Sequence, residues 1–398
     1  MRVMHLVKTV DGADWAWKMA AQLVNLGVEV HAVLPRLSGR FFADWQASGA
    51  KLHAFDASLP VRRPWEQPAR ARAFRALVAS IAPDLLHAHF VTNAVFARLA
   101  LGDAGPQRIF QVAGPLHLEH PLFRAGEAAC AGRRDWWVAS SRFVRDNYLR
   151  RGVSPDRVFL SYYGSDPATF QREPTGALRR ALDLPPRAFV VGNINWFYPP
   201  KRYLGHTRGL KNHEDVLEAA RMLAHADGLR WVLVGRQWGE SQRYYERLRR
   251  RAAASGASIS LPGWRSAAEV RQWWADFDLA VHVPLSENCG GVIEPLMAGV
   301  PVVAAAVGGL PEVIIPGLTG ELVPQRDPAA LARAVLRARS DPEAARSRAR
   351  LGQRLVREMF DVSRTAREIH GIYEHVLGVR RERPEEFDSR RMVRSWMR

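Results

Sequence analysis

The chain has little cysteine, little lysine and no long apolar run. Only two cysteines, Cys130 and Cys289, occur in 398 residues, and neither belongs to a C-x-x-C pattern. A disulfide framework is excluded, and a reducing cytoplasm is the compartment that fits. No stretch of about 18 apolar residues exists, so no membrane-spanning helix is expected. The opening MRVMHLVKTV has a short apolar run that ends in charge; it reads as a first strand, not a secretory leader. Of 57 basic residues only five are lysine: Lys8, Lys18, Lys51, Lys201 and Lys211. The net charge of +17 is therefore an arginine excess spread along the whole chain. No aromatic-interleaved RNA-binding motif or zinc-finger spacing accompanies it, so nucleic acid is not expected as a partner. A peripheral contact with an anionic membrane, from the cytoplasmic side, fits the charge better. Two phosphate loops are missing as well. No G-x-G-x-x-G turn follows a strand and no G-x-x-x-x-G-K-[ST] occurs, which removes the dinucleotide dehydrogenases and the P-loop NTPases.

What is present is alternation. MRVMHLV, VEVHAVLP, KLHAFDA, PDLLHAHF, RIFQVAGP, DWWVASS and VFLSYYG read as strands. Between most of them lie helical stretches such as WAWKMAAQLVNLG, closed by Gly27. Strands separated by helices imply a parallel, doubly wound sheet. Residues 171–187, proline-rich and mixed in charge, break the rhythm and read as a linker. A second alternation then runs through FVVGNINWF, LRWVLVG, SISLPG and DLAVHVPL. The expected class is α/β, with an N-terminal domain over 1–170 and a C-terminal domain over 188–360. A helix over 361–378 and a basic tail over 379–398, disordered or lying on a membrane, complete the chain. Two such halves place a ligand at the carboxyl ends of their strands.

The densest chemistry is HVPLSENCGGVIEPLMAGVPV, from His282. Glu287 and Glu294 flank the turn Cys289-Gly290-Gly291, which opens a helix between two strands. A glycine turn at a helix N-terminus suits a phosphorylated ligand, because free amides and the helix dipole both favour negative charge. Upstream, GNINWFYPPKRYLGHTRGLKNHE is a long loop carrying two of the five lysines. A loop of that length inside a compact domain is usually functional, with a solvated charged loop as the plain alternative.

These residues resemble the retaining glycosyltransferases of family 4, which have the GT-B fold of two Rossmann-like parallel-sheet domains facing a central cleft. The likeness is strongest over 278–324, through the paired glutamates, the EPLMAGVPVV step, the Gly308-Gly309-x-x-Glu312 turn and the G-x-x-G-x-L-V strand. It implies a hexosyltransferase that moves sugar from a nucleotide donor, commonly UDP-linked, to a hydroxyl of a glycan, lipid-linked glycan or natural product. Domain closure would assemble the site. Glu294 matches the glutamate that binds the ribose. The family spaces its pair eight apart; Glu287 stands seven before Glu294, and Ser286 stands eight before it. Either Glu287 or Ser286 fills the first position, and a carboxylate answers a developing oxocarbenium charge better. The amides of Gly290, Gly291 and Val292 would face the donor sugar or phosphate, Lys211 the departing diphosphate. Asn193 stands where the family has an arginine, and Lys201 and Arg208 are the expected substitutes. Gly263 and Trp264 fall where the family holds the base; Trp264 stacks on it or belongs to the core. On the acceptor side the family's Gly-Gly loop is Gly12-Ala13 here, and His117 is the candidate for touching donor sugar or acceptor. His87 and His89 share a strand face and read as core or cleft. No metal and no cofactor are expected, since cations and helix dipoles would hold the leaving group. A phosphorylase or sucrose-synthase-like enzyme of the same fold, or a non-catalytic sugar-nucleotide binder, remain as alternatives.

Overall fold

The computed structural model describes residues 1–170, 173–202 and 205–398. They divide into two α/β units. One comprises Met1–Asp166 with Phe360–Phe387, the other Pro167–Met359 with Asp388–Arg398.

The first unit is built on β1 (Arg2–Leu6), β2 (Glu29–Leu34), β3 (Lys51–Ala54), β4 (Leu85–Ala88), β5 (Gln107–Val112), β6 (Asp135–Ala139) and β7 (Val158–Leu160). All pair in parallel, in the order β3-β2-β1-β4-β5-β6-β7. Helices cover both faces, so the central strands are nearly continuous apolar runs. In β1 Val3, Met4 and Leu6 are wholly buried, and every residue of β4 is buried. The helix Val362–Val376 belongs to this unit, its Ile369, Ile372 and Tyr373 packing with Val3, Ala16, Met19 and Leu23. Its contact with the sheet also settles His87 and His89. With His5 they form a fully buried cluster in which His5 Nδ1 lies 3.0 Å from His89 Nε2 and the Tyr373 hydroxyl lies 2.5 Å from His87 Nδ1 and 3.2 Å from His5 Nε2. Burial holds all three rings below the ordinary histidine range, so they are neutral and belong to the core.

The second unit carries β8 (Phe189–Ile194), β9 (Leu229–Val234), β10 (Ile259–Gly263), β11 (Leu279–His282), β12 (Val302–Ala305) and β13 (Glu321–Val323), again parallel, in the order β10-β9-β8-β11-β12-β13. Strand order reverses between β8 and β11. Loops leaving adjacent carboxyl ends there diverge and open a crevice, the usual ligand position in a sheet of this kind.

Three stretches are more ordered than their composition suggests. Within 171–187 a short helix, Ala177–Ala181, is anchored by Asp276, which accepts from Gly176 N (2.7 Å) and Leu178 N (2.8 Å). In the basic tail a helix forms over Ser389–Trp396: Asp388 caps it, Val393 is fully buried, and the Arg354 guanidinium lies 4.2 Å from the Trp396 ring. The end of the tail, Ser389–Trp396, is thus a packed helix. In the arginine-rich helix Gln67–Ile81, Arg70 pairs with Asp56 at 3.1 Å and Arg75 donates to the Ala100 carbonyl at 2.8 Å. Those two charges are engaged within the unit. No helix among the described residues is long and apolar enough to cross a membrane.

Candidate active site

The crevice at the β8–β11 switch point is a cavity of about 350 Å³. Lys211, Trp264, Glu287, Gly290, Gly291 and Glu294, all singled out from sequence, line it. So do Asn195, Trp196, Tyr198, Arg236 and Trp274, which were not.

Glu287 is its electrostatic centre. Oε2 accepts from Lys211 Nζ at 2.5 Å and from His282 Nε2 at 2.8 Å, while Oε1 accepts from the Asn288 amide at 3.0 Å. Burial opposes ionisation here, but the Lys211 charge and the hydrogen bonds from His282 and Lys211 outweigh it. The carboxyl is held well below the usual range and is ionised at neutral pH. His282 is pushed down by burial, against the pull of Glu287. As a neutral ring it donates from Nε2 to Glu287, which leaves Nδ1 to accept from Asn195 Nδ2 at 3.3 Å. His282 ends β11 and Asn195 follows β8, so the two strands on either side of the switch point jointly orient the carboxylate.

The glycines explain the turn. A Cβ on Gly291 would stand 2.1 Å from His282 Nε2, so only glycine lets the turn close over that ring. Gly308 has φ +58° and would place a Cβ 1.8 Å from the Glu287 carbonyl oxygen, so the Gly308-Gly309 turn packs directly on the Glu287 backbone. Gly290 is open, the nearest neighbour of a Cβ there being Glu287 Oε1 at 3.9 Å. The turn is a single 3₁₀ turn, Gly290–Val292, which feeds the short helix Ile293–Met297. Glu294, in the first turn of that helix, accepts from Trp274 Nε1 at 3.0 Å. Of the two residues competing for the first motif position, Glu287 lines the cavity, whereas Ser286 is buried behind it. The Val292 side chain is likewise in the core.

Other residues singled out from sequence land elsewhere. Arg208 is ion-paired with buried Asp215 and lines a separate charged depression with Glu214, Glu218, Arg247 and Arg251. A nearby buried carboxylate captures it, and it does not reach the Glu287 cavity. Lys201 is not on the cavity wall either; its carbonyl accepts from the His206 amide at 3.2 Å. Asn193, buried, donates to the Val281 carbonyl at 2.8 Å and stitches β8 to β11. Gly263 closes β10 with φ +79°, and its carbonyl accepts from Gly235 N at 3.0 Å. Trp264 is 49% exposed at the cavity wall, which decides against a core role.

In the first unit, Ala13 sits in the left-handed region (φ 58°) at the head of the helix Asp14–Asn25, a conformation that glycine adopts more freely. Gly12 beside it is nearly open: a Cβ there would meet only Thr9 Cγ2, at 3.7 Å. His117 opens no free imidazole face to a ligand through Nε2, which lies 3.1 Å from the Tyr148 hydroxyl. Burial pushes its pKa down to about 4, with Glu127 partly opposing. Glu127 itself joins a buried ion-pair group, accepting from Arg98 at 2.5 Å and from Trp137 Nε1 at 3.0 Å. His117 is thereby tied into the packing of this unit.

Residues 14–169 match the family model described as Glycosyltransferase Family 4, and 202–341 match that described as Glycosyl transferases group 1. Among curated proteins the chain is similar to D-inositol 3-phosphate glycosyltransferase 1 of Catenulispora acidiphila, 30% identical over 56% of this chain and 53% of that protein. It also resembles the D-inositol 3-phosphate glycosyltransferase of Salinispora tropica, 29% identical over 66% of this chain and 55% of the other. The chain thus spans about half the length of these relatives. Among solved structures, HepE of Anabaena in complex with UDP superposes with a TM-score of 0.77 at 20% identity, over 93% of this chain and 98% of that one. Sucrose-phosphate synthase of Thermosynechococcus elongatus does so with 0.77 at 20%, over 96% and 100%. With both parallel-sheet units matched by glycosyltransferase family models and the fold shared over nearly its whole length, the chain belongs to the group 1 glycosyltransferases of the GT-B fold.

Proposed function

We propose that this protein is a retaining glycosyltransferase that moves a hexose-type sugar from a UDP-linked donor to an acceptor hydroxyl of a glycan, lipid-linked glycan or natural product. The observation that carries this reading is the ionised Glu287 bonded to Lys211 at the cavity wall, with Glu294 on the same wall. Glu294 accepts the ribose hydroxyls, its carboxylate aimed by Trp274. The open face of Gly290 lets the donor approach the turn closely. Lys211 has three donors, of which Glu287 takes one, and it offers the others to the diphosphate. The acceptor oxygen bonds to the anomeric carbon on the face from which the β-phosphate departs. The C–O electron pair leaves with the phosphate, and a phosphate oxygen takes the acceptor proton. Glu287 stabilises the positive charge that develops on the ring, where a preorganised carboxylate acts most strongly. The bound UDP in the HepE structure supports the choice of nucleotide. On this reading the reaction runs at the cytoplasmic side, with acceptors drawn from solution or from the membrane surface.

The test is turnover of a panel of nucleotide-sugars with and without acceptors, with the anomeric configuration of the product read by NMR. Glu294→Ala is expected to weaken donor binding roughly 10- to 100-fold, the cost of losing charged hydrogen bonds. Near-normal activity of that variant with UDP-sugars, or an inverted product, would overturn the reading.

A further inference from the structure

The donor reading leaves a charge problem. Two phosphates depart together, yet of the cations expected to meet them Lys211 alone lines the cavity. Asn193 is committed to the Val281 carbonyl and Arg208 to Asp215.

A further guanidinium stands on the cavity wall. Arg236 follows Gly235 at the carboxyl end of β9, and its Cζ lies 4.9 Å from the Trp196 ring centroid and 5.7 Å from that of Trp264. Among the described residues no carboxylate pairs with it, whereas its neighbour on the wall, Arg265, has Glu269 at 3.8 Å. Indole faces attract a cation without neutralising it. They cover the weakly hydrated faces of the guanidinium and leave its N–H edge for a planar, anionic partner. The position of Arg236 along the wall also matters. Ring contacts run from Trp264 through Arg236 to Trp196, then to Trp238 at 5.1 Å and on to Tyr198 at 5.4 Å. Tyr198 shares the wall with Glu287. Arg236 thus touches Trp264, read as the base seat, and is linked through Trp196 and Trp238 to Tyr198, which shares the wall with Glu287 at the end read as the sugar seat; a nucleotide-sugar carries its diphosphate between base and sugar.

We propose that Arg236, shelved between Trp196 and Trp264, is the second cation for the donor diphosphate and takes the place of the arginine missing at Asn193. The inference rests on the donor reading above. The signal in sequence was one residue, the arginine directly after the LVG strand end, and nothing local distinguishes it from 51 other arginines.

The experiment is calorimetric titration of the full-length protein and of Arg236→Gln and Arg236→Lys with UDP, UMP and uridine. For Arg236→Gln the affinity for UDP is expected to fall roughly 10- to 100-fold, the range of a charged hydrogen bond. Uridine affinity should change less than about threefold, which also reports an intact fold, and Arg236→Lys should recover part of the loss for UDP. Unchanged UDP affinity in Arg236→Gln would overturn the proposal, and so would an equal loss for UDP and uridine, which would make Arg236 part of a base shelf. Wild-type protein that binds UDP no better than uridine would remove the donor reading, and this inference with it.

Discussion

At the scale of single residues, the site is organised by one ionised carboxylate and the groups that keep it so. Lys211 and His282 converge on Glu287 Oε2 from 76 residues upstream and five residues upstream. Glu287→Gln keeps acceptor oxygen for both donors but removes the charge. It is expected to lower kcat roughly 10²- to 10³-fold, as loss of a preorganised electrostatic partner does, with donor affinity changed far less. Steady-state kinetics decides this, and a variant with ordinary kcat would strip Glu287 of its role. Lys211→Ala should lower kcat more than it raises KM, since its contact strengthens as the phosphate departs. It has a second signature in pH. The Lys211 charge is the largest influence lowering the Glu287 pKa, so removing it lets that pKa rise. The acid limb of the activity profile should then move to higher pH; an unmoved limb would mean that Glu287 does not govern it. Glu287 and Glu294 were legible in the sequence because both flank an obvious glycine turn. His282 and Asn195 were not, since the hydrogen bonds that give them meaning cross from one strand end to another.

At the scale of elements, the strand–turn–helix unit after β11 was readable from its pattern, but the division of labour between its glycines was not. Both looked suited to close ligand approach. Gly291 in fact gives way to the His282 ring, whereas Gly290 faces open space. Gly291→Ala is expected to destabilise the protein by about 1–3 kcal/mol, the ordinary cost of overpacking, and to displace His282 from Glu287. Gly290→Ala should leave thermal stability nearly unchanged and act on donor affinity. Equal melting temperatures for the two variants would refute this assignment. The helix Val362–Val376 is a similar case. The sequence marked a helix over 361–378, yet the Tyr373 hydroxyl between His5 and His87 follows only from where that helix lies on the sheet. Tyr373→Phe removes a buried hydroxyl and leaves two imidazole nitrogens short of a partner, an expected loss of about 1–3 kcal/mol by denaturant unfolding.

At the scale of the whole chain, each unit buries a neutral histidine with a strongly lowered pKa. Burial takes His5 to about 3 in the first unit, and burial with the neighbouring His282 and Lys211 takes His213 to about 3 in the second. Above pH 6.5, the ordinary histidine value, both folded and unfolded rings are neutral and nothing is lost. As pH falls below 6.5 the unfolded rings take up protons while the folded ones do not, until about pH 3. Each ring then costs its unit about 1.4 kcal/mol per pH unit. At pH 4.5 that is roughly 3 kcal/mol for each of these two rings, a large share of the ~5–15 kcal/mol that holds a domain together. Melting temperature should hold from pH 7.5 to about 6.5 and then fall steadily to 4.5, and a flat profile would show that these rings are not buried neutral. The two-unit division itself followed from strand and helix alternation. The membership of Asp388–Arg398 in the second unit did not: the Arg354–Trp396 contact joins residues more than 40 apart in the chain.

Parallel sheets, glycine turns and the paired glutamates are written in local pattern, because strand and helix periods and turn conformations depend on neighbours a few residues apart. From that pattern came the α/β class, the resemblance to GT-B enzymes and Glu287, Glu294 and Lys211 as candidates that line one cavity. Folding was needed to choose among the cations. Arg208, Lys201 and Arg236 are all cations on paper, and their surroundings differ: a buried Asp215 pairs with Arg208, while two indoles, brought to it by the pairing of β8, β9 and β10, flank Arg236. The seven-residue spacing of the glutamates is ambiguous as a pattern; in the fold it is Glu287 that lines the cavity, while Ser286 is buried. A charge acquires its function from what surrounds it in space, and the sheet brings together surroundings that are dispersed along the chain.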